Sequence, residues 1–202
     1  MTLERLRPVA DAALSPLVRA CLAVGAGPHL LSVVGFGLAV AAAGSFVLGP
    51  DAWWWYPLAG VLVAGSGIFD LLDGAVAREQ GIASDAGDIL DHTLDRYADI
   101  VLVGGIALGA GELLLGFLAV TGVLMTSYLG TQSQAVGFGR LYAGALGRSD
   151  RLVLIAATGV AMAIVPEAVA GLTLVGWLLV LLAIVGHLTA VQRFVVLWRG
   201  LE

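Results

Sequence analysis

Six largely apolar stretches of this chain have about the length a helix needs to cross a bilayer. They cover residues 29–48, 56–77, 89–110, 113–135, 152–165 and 172–195, against about 20 residues for a spanning helix. The fifth is short, and its apolar character continues toward Ala170. Pro28, Pro50, Pro57 and Pro166 fall at or near the predicted ends, where a missing N–H does least harm. Trp53, Trp54, Trp55 and Tyr56 gather at one end, as aromatic side chains do at a membrane–water boundary. Before the first stretch, residues 1–26 mix Arg5, Arg7 and Arg19 with apolar residues. That pattern predicts an amphipathic juxtamembrane helix lying on the membrane surface. No repeat, linker or soluble second domain interrupts the chain, so residues 1–202 are expected to form one all-α integral membrane domain, with a six-helix bundle over 29–195.

Composition agrees. The chain is 59% hydrophobic and 12% charged, where a soluble domain carries about 25% charged residues. No short apolar leader with a small-residue cleavage site opens the sequence, so no signal peptide is expected. The single cysteine, Cys21, leaves no disulfide within the chain and implies no thiolate metal site. With 15 acidic against 10 basic residues the net charge is −5, which argues against a nucleic-acid partner, because phosphate backbones need a basic surface. The basic residues are all arginine, and they fall on one side of the predicted spans. Arg5, Arg7 and Arg19 precede the first, Arg78 and Arg96 flank the turn between the second and third, Arg140, Arg148 and Arg151 lie between the fourth and fifth or open the fifth, and Arg193 and Arg199 close the sixth. The opposite connections, around Asp51, Glu112 and Glu167, hold none. The positive-inside rule puts the arginine side in the cytoplasm, with both termini inside a multi-pass protein of the cell membrane.

Candidate chemistry lies in the acids. The second span ends in Asp70-Leu-Leu-Asp73-Gly74-Ala-Val-Ala-Arg78, and the third opens on Gly87-Asp-Ile-Leu-Asp91-His-Thr-Leu-Asp95. Helical residues three or four apart share a face, so Asp70 pairs with Asp73 and Asp91 with Asp95. A short connection makes the two helices expected neighbours, and the four carboxylates are predicted to converge. An ionised aspartate at the centre of a membrane helix costs about 2.5–3.5 kcal/mol, and the four also repel one another. Arg78 and Arg96 are the cations near in sequence. Hard divalent cations suit oxygen ligands better, which points to Mg²⁺ or Mn²⁺. Such ions beside a membrane suggest phosphoryl chemistry: they can polarise a phosphate and orient an attacking hydroxyl. Gly74 and Gly87 leave room near the backbone, Arg78 can grip a phosphate with its planar fork, and an aspartate can serve as general base.

The stretch from Asp70 to Asp95 matches D-x2-D-G-x2-A-R-x8-G-x3-D-x3-D at eight fixed residues over 26 positions, and so resembles the CDP-alcohol phosphotransferase family. The resemblance implies that Asp70, Asp73 and Asp91 ligate one metal ion and Asp70, Asp91 and Asp95 a second. It further implies that Asp95 deprotonates the acceptor, that Gly74, Arg78 and Gly87 line the site for a CDP-activated lipid, and that the protein is a six-helix homodimer with a surface helix at its N-terminus. Gly25-Ala-Gly-Pro28-His-Leu-Leu-Ser resembles the family's entry into its first span. Ser127-Tyr128, Gly147-Arg148-Ser-Asp-Arg151-Leu152 and Val191-Gln192-Arg193 look like the branch that contains phosphatidylinositol phosphate and archaetidylinositol phosphate synthases. This implies that Arg148, Arg151 and Arg193 bind an acceptor phosphate. The match breaks at Leu129-Gly130-Thr131-Gln132-Ser133-Gln134, where the branch carries a basic residue and an Arg/Glu pair.

The expected activity is transfer of a phosphatidyl or archaetidyl group to a polyol phosphate such as inositol phosphate, with release of CMP. Glycerol phosphate or another small alcohol is the alternative acceptor. A divalent metal transporter using the aspartates as a transient site is the alternative of another class. Asp85, Asp88 and Asp99 are expected to be solvated or helix-start charges. His92 should point about 100° from Asp91 around the helix, and His29 and His187 are placed near helix ends without chemistry. Gly105 and Gly109 have the small-xxx-small spacing that packs helices or dimers.

Overall fold

The structure is a computed structural model. It describes residues 7–82, 84–139, 141, 144 and 146–202, with side chains from Leu14 onward. Arg5, Arg140 and the side chain of Arg7 lie outside the described residues. The chain is all-helical: α1 Arg7–Ala23, α2 Pro28–Leu48, α3 Trp55–Gln80, α4 Asp85–Ala110, α5 Leu113–Ala135, α6 Arg148–Ala161 and α7 Leu174–Leu201. Among the described residues the sole β feature is a bridge between Val169 and Leu172.

α2, α3, α5 and α7 are long and apolar enough to cross a membrane. The other two predicted spans fall short of that description for separate reasons. α4 has 26 residues, but from its start to Asp99 it carries Asp85, Asp88, Asp91, Asp95, Arg96 and Asp99. α6 has only 14 residues, which at 1.5 Å each is about 21 Å, less than the roughly 30 Å hydrocarbon core.

Glycine sets several of the helix contacts. A Cβ at Gly60 would lie 2.6 Å from the Ala156 carbonyl oxygen, so α3 and α6 touch backbone to backbone there. A Cβ at Gly105 would lie 2.6 Å from the Ala43 carbonyl oxygen, and one at Gly109 would collide with that of Phe46. The Gly105/Gly109 spacing thus packs α4 onto α2 within one chain. Around these contacts Phe46, Leu102, Ile106, Leu179 and Leu182 form a fully buried core. α1 lays Leu14 and Val18 against Leu31, Leu72 and Val76, while Leu17 and Arg19 face outward.

Two local signals create the turn at the acidic end. Gly81 adopts φ +66 and closes α3: its N–H reaches the Arg78 carbonyl and that of Ile82 the Ala77 carbonyl, the double bond of a glycine-terminated helix. Ser84 then caps α4, accepting from the Gly87 N–H at 3.2 Å, with Asp85 and Asp88 in the favourable first turn. Despite this short turn α3 and α4 are not the packed neighbours expected from sequence. Both pack on α2, and α3 also packs on α6. The carboxylates therefore face each other across a cleft floored by α2, which gives the acidic faces the separation that mutual repulsion favours.

Candidate active site

The cleft is lined by Ser32, Gly35 and Phe36 of α2, Ser66, Asp70 and Asp73 of α3, Asp91, Leu94, Asp95 and Ala98 of α4, and Arg148 of α6. Asp70, Asp91 and Asp95 each bring a carboxylate oxygen to within 4.8 Å of the others. Asp73 lines the same cleft but is buried against α2, where its Oδ2 accepts from Ser32 Oγ at 2.7 Å. The predicted convergence is therefore three carboxylates around one point with the fourth anchored at the wall.

Arg148 supplies the local positive charge. Its Nη1 is 2.5 Å from Asp70 Oδ1 and its Nη2 2.8 Å from Asp95 Oδ1, so one planar fork links α6 to both acidic helices. One turn further along α6, Arg151 Nη2 donates to Asp99 Oδ2 at 2.7 Å, with both side chains buried. Arg96 approaches Asp99 at 3.7 Å and Asp95 at 3.8 Å. Asp99 is thus no solvated charge, whereas Asp85 and Asp88 are exposed as expected. The Nε atoms of Arg148 and Arg151 are buried without a hydrogen-bond partner.

The remaining predicted site residues lie around this centre. Gly74 follows Asp70 by one turn, and Arg78 folds back over it, its Nη1 3.2 Å from where a Gly74 Cβ would stand. Gly87 serves the α4 cap, and a Cβ there would make ordinary contacts with Ser84 and His29. None of these residues lines the cleft itself. Arg193, buried on α7, donates from Nη1 to the Thr126 carbonyl of α5 at 2.6 Å. It passes over Gly130, where a Cβ would lie 2.7 Å from the same nitrogen. Arg148 is thus the arginine among the three predicted that joins the aspartates. His92 Nδ1 stands 3.7 Å from both Asp88 and Asp91. His187 sits at mid-helix on α7, not near its end, with Nε2 3.1 Å from the Leu118 carbonyl oxygen.

The donor set fits a hard divalent cation: its acceptors are carboxylate oxygens alone, the ligand type that Mg²⁺ and Mn²⁺ take. The Arg148 fork neutralises two of these carboxylates, the role a bound metal ion would share. Sequence reasoning missed Ser32 and Asp99. A serine four residues after Pro28 gives no local hint of an aspartate 41 positions away, and the partner of Asp99 lies 52 positions on.

Comparison with known proteins bears on this geometry. The sequence model for CDP-alcohol phosphatidyltransferase matches residues 26–189. Archaetidylinositol phosphate synthase of Methanothermobacter thermautotrophicus is 30% identical over 205 residues, covering 99% of this chain and 96% of that protein. The enzyme of the same name from Pyrococcus horikoshii is 32% identical over 154 residues, covering 76% of this chain and 79% of that protein. The crystal structure of Mycobacterium tuberculosis phosphatidylinositol phosphate synthase with CDP-DAG bound superposes with a TM-score of 0.74 at 27% identity, covering 91% of this chain and 92% of that one. The same enzyme in complex with manganese and citrate gives 0.76 at 26% identity, covering 91% and 88%.

Proposed function

The chain belongs to the CDP-alcohol phosphatidyltransferase family, and from that premise we propose that it moves a phosphatidyl or archaetidyl group from a CDP-lipid to a polyol phosphate such as inositol phosphate, releasing CMP. The observation that carries the reading is the meeting of Asp70, Asp91 and Asp95 around one point with the Arg148 fork laid across two of them. The inositol phosphate acceptor is supported by the names of the relatives.

In this reading Asp70, Asp73 and Asp91 hold one Mg²⁺ or Mn²⁺ ion, and Asp70, Asp91 and Asp95 a second. When bound, the two ions supply charge neutralisation for the diphosphate and for the departing CMP. Asp95 takes the proton of the acceptor hydroxyl. The hydroxyl oxygen forms its bond to the lipid-side phosphorus as the bond from that phosphorus to the CMP oxygen breaks. Gly74, Arg78 and Gly87 line the nucleotide side. Arg148, Arg151 and Arg193 serve the acceptor phosphate; with metal ions held by the aspartates, the Arg148 guanidinium would be free to turn to that phosphate. α4 and α6 complete a six-span domain, α1 rests on the membrane surface, the cleft opens to the cytoplasm and the protein acts as a homodimer.

Glycerol phosphate is the second acceptor to test, because Gly130, Gln132 and Gln134 carry no charge on the helix Arg193 touches. A transporter reading is disfavoured: α2, α5 and α7 hold no carboxylate along their lengths, so the acids form a site at one end and not a path. The test is CMP release from a CDP-lipid with Mn²⁺, screened over inositol phosphate, glycerol phosphate, inositol, serine and glycerol. Release that depends on inositol phosphate supports the reading, and release with another acceptor replaces only that half of it.

A further inference from the structure

Two side-chain bridges join α6 to α4. Arg148 and Arg151, three residues apart on α6, meet Asp95 and Asp99, four residues apart on α4. The two helices have little backbone contact of their own, since α6 packs on α3 and α7 and α4 on α2, α5 and α7. The direct link between the first turn of α6 and α4 is therefore this pair of ionic rungs, while packing on α3 and the Arg148–Asp70 contact hold α6 from the other side. The outer rung reaches the cleft. The inner rung does not: Asp99 is absent from the cleft lining and is buried, as is Arg151. A buried, hydrogen-bonded ion pair holds its geometry firmly, because breaking it strands a charge away from water. Arg96 approaches the same carboxylate from α4 itself.

We propose that Asp99 is a positioning residue: through Arg151 it seats the start of α6 so that Arg148 is presented to the reaction cleft. Asp99 touches no reacting atom in this assignment. Its acceptor-side consequence rests on the function proposed above, because it takes Arg148 to be a ligand of the acceptor phosphate. The structural half stands without that reading.

The experiment uses the full-length chain in detergent, as wild type, Asp99→Asn and the double variant Asp99→Asn/Arg151→Gln. The single variant leaves Arg151 buried without its counter-charge and can lose stability for that reason alone. The double variant removes both charges and keeps the fold, as neutral replacement of a buried pair often does. Amide hydrogen exchange is read first. In the double variant residues 148–154 should exchange about tenfold faster, with α2, α3 and α7 unchanged, as for a local opening. Steady-state CMP release is read second. In Asp99→Asn, which keeps Arg151, and whose KM does not depend on how much of the enzyme is folded, the KM for inositol phosphate should rise about tenfold while the KM for CDP-lipid stays within about threefold, the pattern of a lost acceptor contact. Unchanged exchange over 148–154 overturns the positioning role whatever the enzyme does. Faster exchange with equal losses in both KM values, or with none, overturns the link to the acceptor. A wild type that releases no CMP with any acceptor sinks the proposed function instead, and the exchange result still decides whether Asp99 seats α6.

Discussion

Arg148 and Asp70 are joined at 2.5 Å between the first residue of α6 and the first acidic residue of α3. The same guanidinium holds Asp95 at 2.8 Å. A cation entering the cleft would compete with that fork for the same oxygens. Replacing Arg148 by Gln is therefore expected to tighten Mn²⁺ binding about threefold to tenfold in the absence of substrates, since a unit charge a few ångströms away is worth about 1 kcal/mol or more even at high dielectric. An electron paramagnetic resonance titration of free Mn²⁺ measures this, and weaker binding in the variant would assign Arg148 to shaping the site, not to competing for it.

Cation binding should stabilise the fold. A ligand at about 100 times its Kd adds about 2.7 kcal/mol to a two-state protein. Thermal unfolding in detergent should move upward on adding Mn²⁺ and return on adding EDTA. In Asp91→Asn the shift should be largely lost, because Asp91 belongs to the three-carboxylate cluster. A full shift in that variant would place the stabilising ion elsewhere.

Glycine contacts give a stability prediction independent of the chemistry. At Gly60 a side chain would strike the Ala156 backbone, whereas at Gly104 nothing lies within 4 Å. Gly60→Leu should cost about 3 kcal/mol or more through overpacking. Gly104→Ala should gain about 0.5–1 kcal/mol from helix propensity. The two melting temperatures in the same detergent decide it, and equal effects would contradict the close α3–α6 crossing.

What the sequence made legible was local. The shared faces of Asp70 with Asp73, and of Asp91 with Asp95, follow from the helical period alone, and each apolar run overlaps one of six observed helices, though the last two runs miss helix ends. What it hid was relational. A short turn suggested that α3 and α4 pack together, yet the glycine face of α4 is used on α2, through Gly105 and Gly109, and the acidic helices stand apart. Asp99 resembled a solvated charge because the arginine that hydrogen-bonds it within the core, Arg151, is distant in sequence. His187 looked terminal because the last apolar run was drawn to end at Val195, whereas α7 continues to Leu201.

Gly130 and Arg193 show the same limit. Along the sequence Gly130 is a gap where a basic residue was expected, but in the structure the space is filled by the Arg193 guanidinium from α7, bonded to the Thr126 carbonyl. Gly130→Leu should displace Arg193, and the KM for the acceptor should rise about tenfold if that arginine serves the acceptor phosphate, in line with the value of a charged hydrogen bond. An unchanged KM would leave Arg193 as a brace between α5 and α7.

The transfer chemistry is decided by CMP release from CDP-lipid by the purified, Mn²⁺-loaded protein, wild type against Asp95→Asn, with inositol phosphate as acceptor. Acceptor-dependent release is expected in the wild type, with a loss of about 10²–10⁴-fold in the variant, the range of a missing general base. Release that persists undiminished in Asp95→Asn, or folded and metal-bound wild type that releases no CMP with any acceptor, would contradict that chemistry.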